Sequence, residues 1–168
     1  MLIEGLAYDR CQVGVVLNID PKANFPQYAI FDEDQVFSIV RTQVDVVLPN
    51  GVAVLNADDP MVIQMAELCD GEVIFFTQNP HSPAIEKHLQ NDGRVVLVGN
   101  QQLTLRRGKL DQKSIPVPRH STPSASSPWM NMNLGAAIAA AWALDIPFNV
   151  IEAGAETFAP AINTATGA

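Results

Sequence analysis

The run Val54-Leu55-Asn56-Ala57-Asp58-Asp59-Pro60 packs an apolar strand end, a polar turn and a helix start into seven residues. It is the first joint of a compact unit: strand Val52 to Leu55, helix Pro60 to Leu68 and strand Glu72 to Thr77. So short a connection between two apolar strands argues for a parallel pair buried on both faces, because a crossover helix must cover the sheet it spans. An α/β architecture follows. The rest of the chain extends the alternation. Val13 to Ile19 is an apolar, β-branched strand running into Asp20-Pro21, and Asp20 to Tyr28 is a polar, proline-bearing loop. From Asp32, the spacing of Val36, Phe37, Ile39, Val40, Val44 and Val47 predicts a helix, with Asp32 to Asp34 favourable near its N-terminus. Pro49-Asn50-Gly51 is expected to turn the chain.

The second half changes character. A helix is expected over Pro83 to Gln90. Val95 to Val98 and Leu103 to Leu105, joined across Gly99 and Asn100, predict antiparallel pieces at a sheet edge. Pro116 to Pro128 predicts a mobile surface crossing. Asn131 to Leu144 is alanine-rich and predicts a tightly packed helix, and Pro147 to Phe158 one more, opening on a proline that the first turn tolerates. Residues 159–168 are small, lack an apolar pattern and are expected to be disordered.

Bulk properties limit the function classes. The 168 residues are 48% hydrophobic and 17% charged, enough for one core, so one domain is expected over 1–158. A net charge of −8 argues against a nucleic-acid or anionic-membrane partner, either of which needs a basic patch. The tight basic cluster Arg106, Arg107 and Lys109 lies between expected strands and reads as a solvated hairpin. No signal-peptide core occurs at Met1 to Arg10, and the apolar run Leu134 to Leu144 is too short to span a bilayer, so a cytoplasmic location is expected. Cys11 and Cys69 form no C-x-x-C pair and read as reduced structural thiols. His81 and His88 read as solvated, and His120 has no assigned role. No G-x-S-x-G elbow supports a hydrolase.

Chemistry concentrates at Asn56 to Pro60. Asp59 suits an N-cap ahead of Pro60 at the first helical position, which explains one acid without a ligand. Asn56 and Asp58 remain. They lie at the carboxyl end of an expected parallel strand, where open α/β sheets place ligands, and an Asn amide can both donate to and accept from an adenine edge.

Several blocks in register carry a resemblance: Gly5-Leu6-Ala7-Tyr8-Asp9-Arg10-Cys11-Gln12-Val13-Gly14-Val15-Val16, Arg41 to Val47, Val54 to Pro60, and Asn133 to Leu144. Together they resemble the Mur-ligase-like module of the cyanophycin synthetases, within the Mur-type ATP-dependent amide ligases. The resemblance implies the later part of a Mur-ligase central domain, a mainly parallel sheet flanked by helices with an antiparallel edge. It implies an enzyme that uses ATP and Mg2+ to attach L-arginine to the aspartate backbone of cyanophycin through an acyl phosphate. Asn56 matches the adenine-contacting asparagine, Asp58 and Asp59 belong to the same motif, and Asn133 matches the asparagine opening the alanine-rich helix, where helix capping is the favoured reading and nucleotide contact the alternative.

Departures from the family pattern bear on activity. No glycine-rich phosphate loop G-x-x-x-x-G-K-[ST] occurs between Met1 and Ala168. Where many relatives have Asp-His after the first strand, Asn18-Ile19-Asp20 runs into Pro21 and Lys22, leaving Asp20 as the local candidate metal ligand. Val40 and Arg41 occupy the neighbourhood of a metal-organising lysine, and Glu4 is too near the start of the chain to be given the upstream glutamate's role. The chain alone is therefore expected to be an inactive fragment with an exposed sheet edge that favours homo-oligomers. A scaffold remnant and half of a split ligase are the alternatives.

Overall fold

The computed structural model describes residues 5–20, 22, 25–109, 111–117 and 128–157. The tail 159–168, most of the Ser/Pro crossing, Glu4, Pro21 and His120 lie outside the described residues. Six strands form one sheet in sequential order: β1 (Cys11–Val16), β2 (Val47–Asn56), β3 (Glu72–Thr77), β4 (Arg94–Val98), β5 (Gln102–Arg107) and β6 (Asp111–Pro116). The first four run parallel, and β4, β5 and β6 are antiparallel neighbours. This is the expected mixed sheet, and β1 pairs with β2 alone among the described strands.

Helices cover both faces. On one lie α1 (Glu33–Asp45), a 3₁₀ segment (Val62–Leu68) and α2 (Pro83–Gln90); on the other lie α3 (Pro128–Ala143) and α4 (Phe148–Thr157). Alternate residues of each strand feed the two cores. Val54, Ile74, Phe76 and Val96 face α3, whereas Leu55, Phe75 and Val95 face α1, α2 and the 3₁₀ segment. Because β2 and β3 are buried on both faces, they read in sequence as continuous apolar runs. Gly14 marks a close approach: a Cβ there would stand 2.7 Å from the Gln43 carbonyl oxygen of α1.

Five local expectations change. Val47 leaves the helix to begin β2, and Pro49-Asn50-Gly51 lies inside that strand rather than in a separate turn. The β1–β2 register jumps from Cys11↔Val47 to Val13↔Val52, so 48–51 form an irregular excursion, secured where Gln12 Nε2 donates to the Asn50 carbonyl at 2.7 Å. The segment after Pro60 is 3₁₀ rather than α and starts at Val62. A third antiparallel strand, β6, was missed because Asp111-Gln112-Lys113-Ser114 carries no strand pattern; pairing with β5 supplies what propensity lacks. Finally, α3 begins at Pro128, three residues before the expected start.

Candidate functional site

The carboxyl ends of β1, β2 and β3 converge on a cleft of about 650 Å³. It is lined by Asn18 to Asp20 after β1, by Asn56 and Asp58 to Met61 after β2 and by Gln78 after β3, together with Glu33 of α1 and Met132 of α3. This is the edge where the parallel strands leave loops free to carry side chains. The volume is in the range of small-molecule sites.

Each acid of the motif has a defined structural task. Asp59 Oδ1 accepts from the backbone N–H of Met61 at 2.8 Å and of Val62 at 3.1 Å, but the 3₁₀ segment begins at Val62 with Met61 at its N-cap, so Asp59 holds the turn ahead of the segment rather than the cap position expected before Pro60. Its Oδ2 accepts from Ile19 N–H at 2.8 Å, a long-range tie that the sequence did not disclose. Asp58 is held just as firmly: Oδ1 accepts from Thr77 Oγ1 and Oδ2 from Gln78 N–H at 2.7 Å. Two consecutive carboxylates therefore staple the ends of β1 and β3 to the turn after β2. Asn56 Oδ1 accepts from Asp58 N–H at 2.9 Å, an Asx turn that leaves Nδ2 without a hydrogen-bond partner among the described residues.

The remaining predicted residues separate. Asp20 lines the cleft, exposed, and its Oδ1 accepts from Lys22 N–H at 2.9 Å. Asn133 is exposed in the second turn of α3, beside the cleft-lining Met132 and not itself part of the lining. The capping reading of Asn133 is overturned, because α3 extends back to Pro128, a residue suited to a first helical position. Among the described residues no three His, Cys, Asp or Glu gather as a metal site. With Asp58 and Asp59 committed to hydrogen bonds, Asp20 is the one of these three acids with an oxygen left to offer, and by itself it supplies too few ligands for a divalent cation. Thr77, Gln78, Met61 and Met132 were missed; their one legible signal was position, Gln78 after a parallel strand and Met61 directly after Pro60.

The histidines and cysteines correct and extend the reading. His88 is not solvated. It stacks edge-on against Phe75 with ring centroids 4.8 Å apart, and Nε2 lies 3.2 Å from the Arg94 carbonyl oxygen. Burial pushes its pKa below the usual histidine value, opposed by backbone hydrogen bonding to Arg94 and Val73 and by the Glu72 charge. His81 is exposed. Cys11 and Cys69 are free thiols, both raised in pKa mainly by burial. In the basic cluster, Arg107 pairs with Asp92 at 3.2 Å and Arg106 donates to the Gly108 carbonyl at 3.1 Å, as a surface hairpin would. No helix among the described residues is long and apolar enough to cross a membrane.

Comparison with known proteins agrees with this geometry. No protein-family profile matches the chain. Cyanophycin synthetase from Crocosphaera subtropica is 32% identical over 173 aligned residues, covering 99% of this chain and 19% of that protein. Cyanophycin synthetase from Synechocystis is 33% identical over 162, covering 94% and 18%. The chain thus spans about a fifth of the length of these relatives. Among solved structures, MurF from Acinetobacter baumannii superposes with a TM-score of 0.57 at 17% identity, over 88% of this chain and 29% of that one. A pseudomurein peptide ligase type C from Methanothermus fervidus gives 0.53 at 18%, over 88% and 34%. At such identities the structural match speaks for the fold.

Proposed function

We propose that this chain, a homologue of one segment of the cyanophycin synthetases with the fold of the Mur ligases, is the base-binding part of an ATP-dependent amide ligase module. The observation that carries the reading is the placement of Asn56 and its stapled acids at a cleft on the carboxyl edge of the parallel strands, inside a match that covers nearly the whole chain. Nucleotide contact is assigned to Asn56, Asp58, Asp59 and Asn133, with Asp58 and Asp59 acting through the shape they impose. Asp20 is the candidate donor toward Mg2+ in a complete enzyme, where further ligands must come from outside the described residues. The location is cytoplasmic.

In the proposed reaction the terminal phosphoryl group of ATP passes to a carboxylate of the cyanophycin backbone. The amine of L-arginine then attacks the acyl carbon and phosphate leaves, forming the amide. Phosphorylation turns a poor leaving group into a good one, so the site must align donor, acceptor and amine and keep water off the mixed anhydride. This chain supplies orientation of the base; its sequence holds no phosphate loop. Alone it is proposed to be inactive.

The alternatives are a scaffold remnant and half of a split ligase. Supplying a polypeptide that carries G-x-x-x-x-G-K-[ST] and assaying ATP hydrolysis with and without L-arginine separates them. Arginine-dependent turnover is expected of the ligase. A complex that forms without turnover would favour the scaffold.

A further inference from the structure

The β5–β6 hairpin and the connection from α3 to α4 enclose a pocket of about 210 Å³. Arg107, on its lining, pairs with Arg94, the first residue of β4, so the pocket lies at the amino edge of the parallel strands, away from the Asn56 cleft. It is smaller than a drug-sized site, and its ligand must be compact. One wall is cationic. Lys113 stands opposite Leu105 in the β5–β6 register and Arg107 lies two residues further along β5, so these side chains share the sheet face that α3 and α4 cover. Lys113 Nζ sits 5.0 Å from the centroid of the Phe148 ring. Arg107 reaches Asp92 through Nε, and its two terminal nitrogens have no partner among the described residues.

The other wall carries Asp145, with Ile146 and Ile151 as apolar surface. Asp145 is badly placed for stability. Ile146 N–H donates to the Ala141 carbonyl and Asp145 N–H to the Trp142 carbonyl, both at 3.1 Å, closing α3 with a motif whose left-handed position is normally glycine. Asp145 holds that position at φ +54°. Its charge also lies at the carbonyl end of the helix, where the macrodipole favours a cation. No hydrogen bond or ion pair to its carboxylate compensates among the described residues. A side chain kept against two local preferences, on the lining of a pocket, is the pattern of a binding group.

We infer that this pocket binds a free α-amino acid with a mid-sized apolar side chain. Its carboxylate meets Arg107 and Lys113, its ammonium meets Asp145, and its side chain lies against Ile146 and Ile151. A ligand of one charge would satisfy one wall and leave the other without a counter-charge. The site is independent of the nucleotide reading, which it neither needs nor supports.

The test is a titration of the 15N-labelled chain with L-leucine, with isocaproate, which lacks the ammonium, and with isoamylamine, which lacks the carboxylate, followed by nuclear magnetic resonance. L-Leucine is expected to shift the backbone amides of Lys113, Asp145 and Ile146. Each analogue is expected to bind roughly tenfold more weakly, the change expected for one charge-assisted hydrogen bond. Asp145→Gly should raise the melting temperature, because it relieves the backbone and removes the misplaced charge, and should bring L-leucine and isocaproate to equal affinity. Asp145→Asn, which tolerates the left-handed backbone and lacks the charge, should equalise the same two ligands. Arg107→Gln should narrow the gap between L-leucine and isoamylamine. A higher melting temperature for Asp145→Gly with no response of the original chain to L-leucine would make Asp145 an ordinary surface residue and overturn the inference. Equal affinity for all three probes would also overturn it, leaving an apolar hollow that reads no charge.

Discussion

Arg94 holds Glu72 in a forked pair: Nε donates to Oε1 at 2.7 Å and Nη2 to Oε2 at 2.9 Å. The pair joins the first residues of β3 and β4, and the third guanidinium nitrogen donates to the Trp142 carbonyl at 3.1 Å, at the carbonyl-rich end of α3. The guanidinium also sits over the Trp142 ring, 5.2 Å from its centroid. One side chain, 7% exposed, thereby locks two strands to the helix that covers them. Arg94→Met is expected to lower stability by about 1–2 kcal/mol, since it leaves the Trp142 carbonyl without its guanidinium donor, while the half-exposed Glu72 carboxylate turns to water. Arg94→Lys recovers only part, because an ammonium cannot form the fork. Urea denaturation checks both; equal stability of all three proteins would remove this role.

Asp59 ties the end of β1 to the start of the 3₁₀ segment through three backbone N–H groups. Asp59→Ala is expected to cost about 2 kcal/mol, from the lost bonds to Met61 and Val62 plus an unpaired Ile19 amide. Hydrogen exchange at Ile19 should accelerate in step. Protection retained at Ile19 would mean that another group holds the strand end.

His88 makes stability depend on pH with a definite sign. Its folded pKa lies below that of the unfolded chain, so between the two values the unfolded state binds more protons. The neutral ring's contribution is complete above about pH 6.5, falls as the pH drops toward the folded value, and levels off below it. His88→Asn should flatten that part of the stability curve. Melting temperatures taken between pH 7.5 and 5 for both proteins decide it, and parallel curves would rule the histidine out.

The outer edge of β1 has no strand partner among those described, although its residues pack into both cores as those of an interior strand do. Cys11 to Val16 contains no charge and no proline, the usual guards of an edge. Concentration-dependent self-association is expected in sedimentation, in keeping with a homo-oligomer. A monodisperse monomer with a cooperative melt would contradict it.

How far the sequence could be read varied with the range of the forces involved. The βαβ unit at Val52 to Thr77 was legible because strand burial on both faces writes itself as unbroken apolar runs. That Asp59 would bind backbone N–H groups just ahead of the next helical segment was legible because such contacts are local, though the segment itself opens later, with Met61 at its N-cap. Asp59 as a tether for Ile19 was not, because its partner lies 40 residues away. β6 went unread because its strand identity comes from β5 beside it. His88 looked like a surface residue until α2 laid it on Phe75.

The amino-acid order alone determined the alternation of strands and helices, the parallel core and the motif at its carboxyl edge, since periodicity, turn chemistry and burial are properties of neighbours in sequence. Only the tertiary structure decided what the motif's side chains do. Asp58 could have faced solvent, metal or phosphate; it faces Thr77 and Gln78 because pairing of Asn56 with Phe76 sets β3 beside β2 and brings their ends together. The direction of the Asn56 amide follows from that contact, because a hydrogen bond across twenty residues exists only once the sheet has formed.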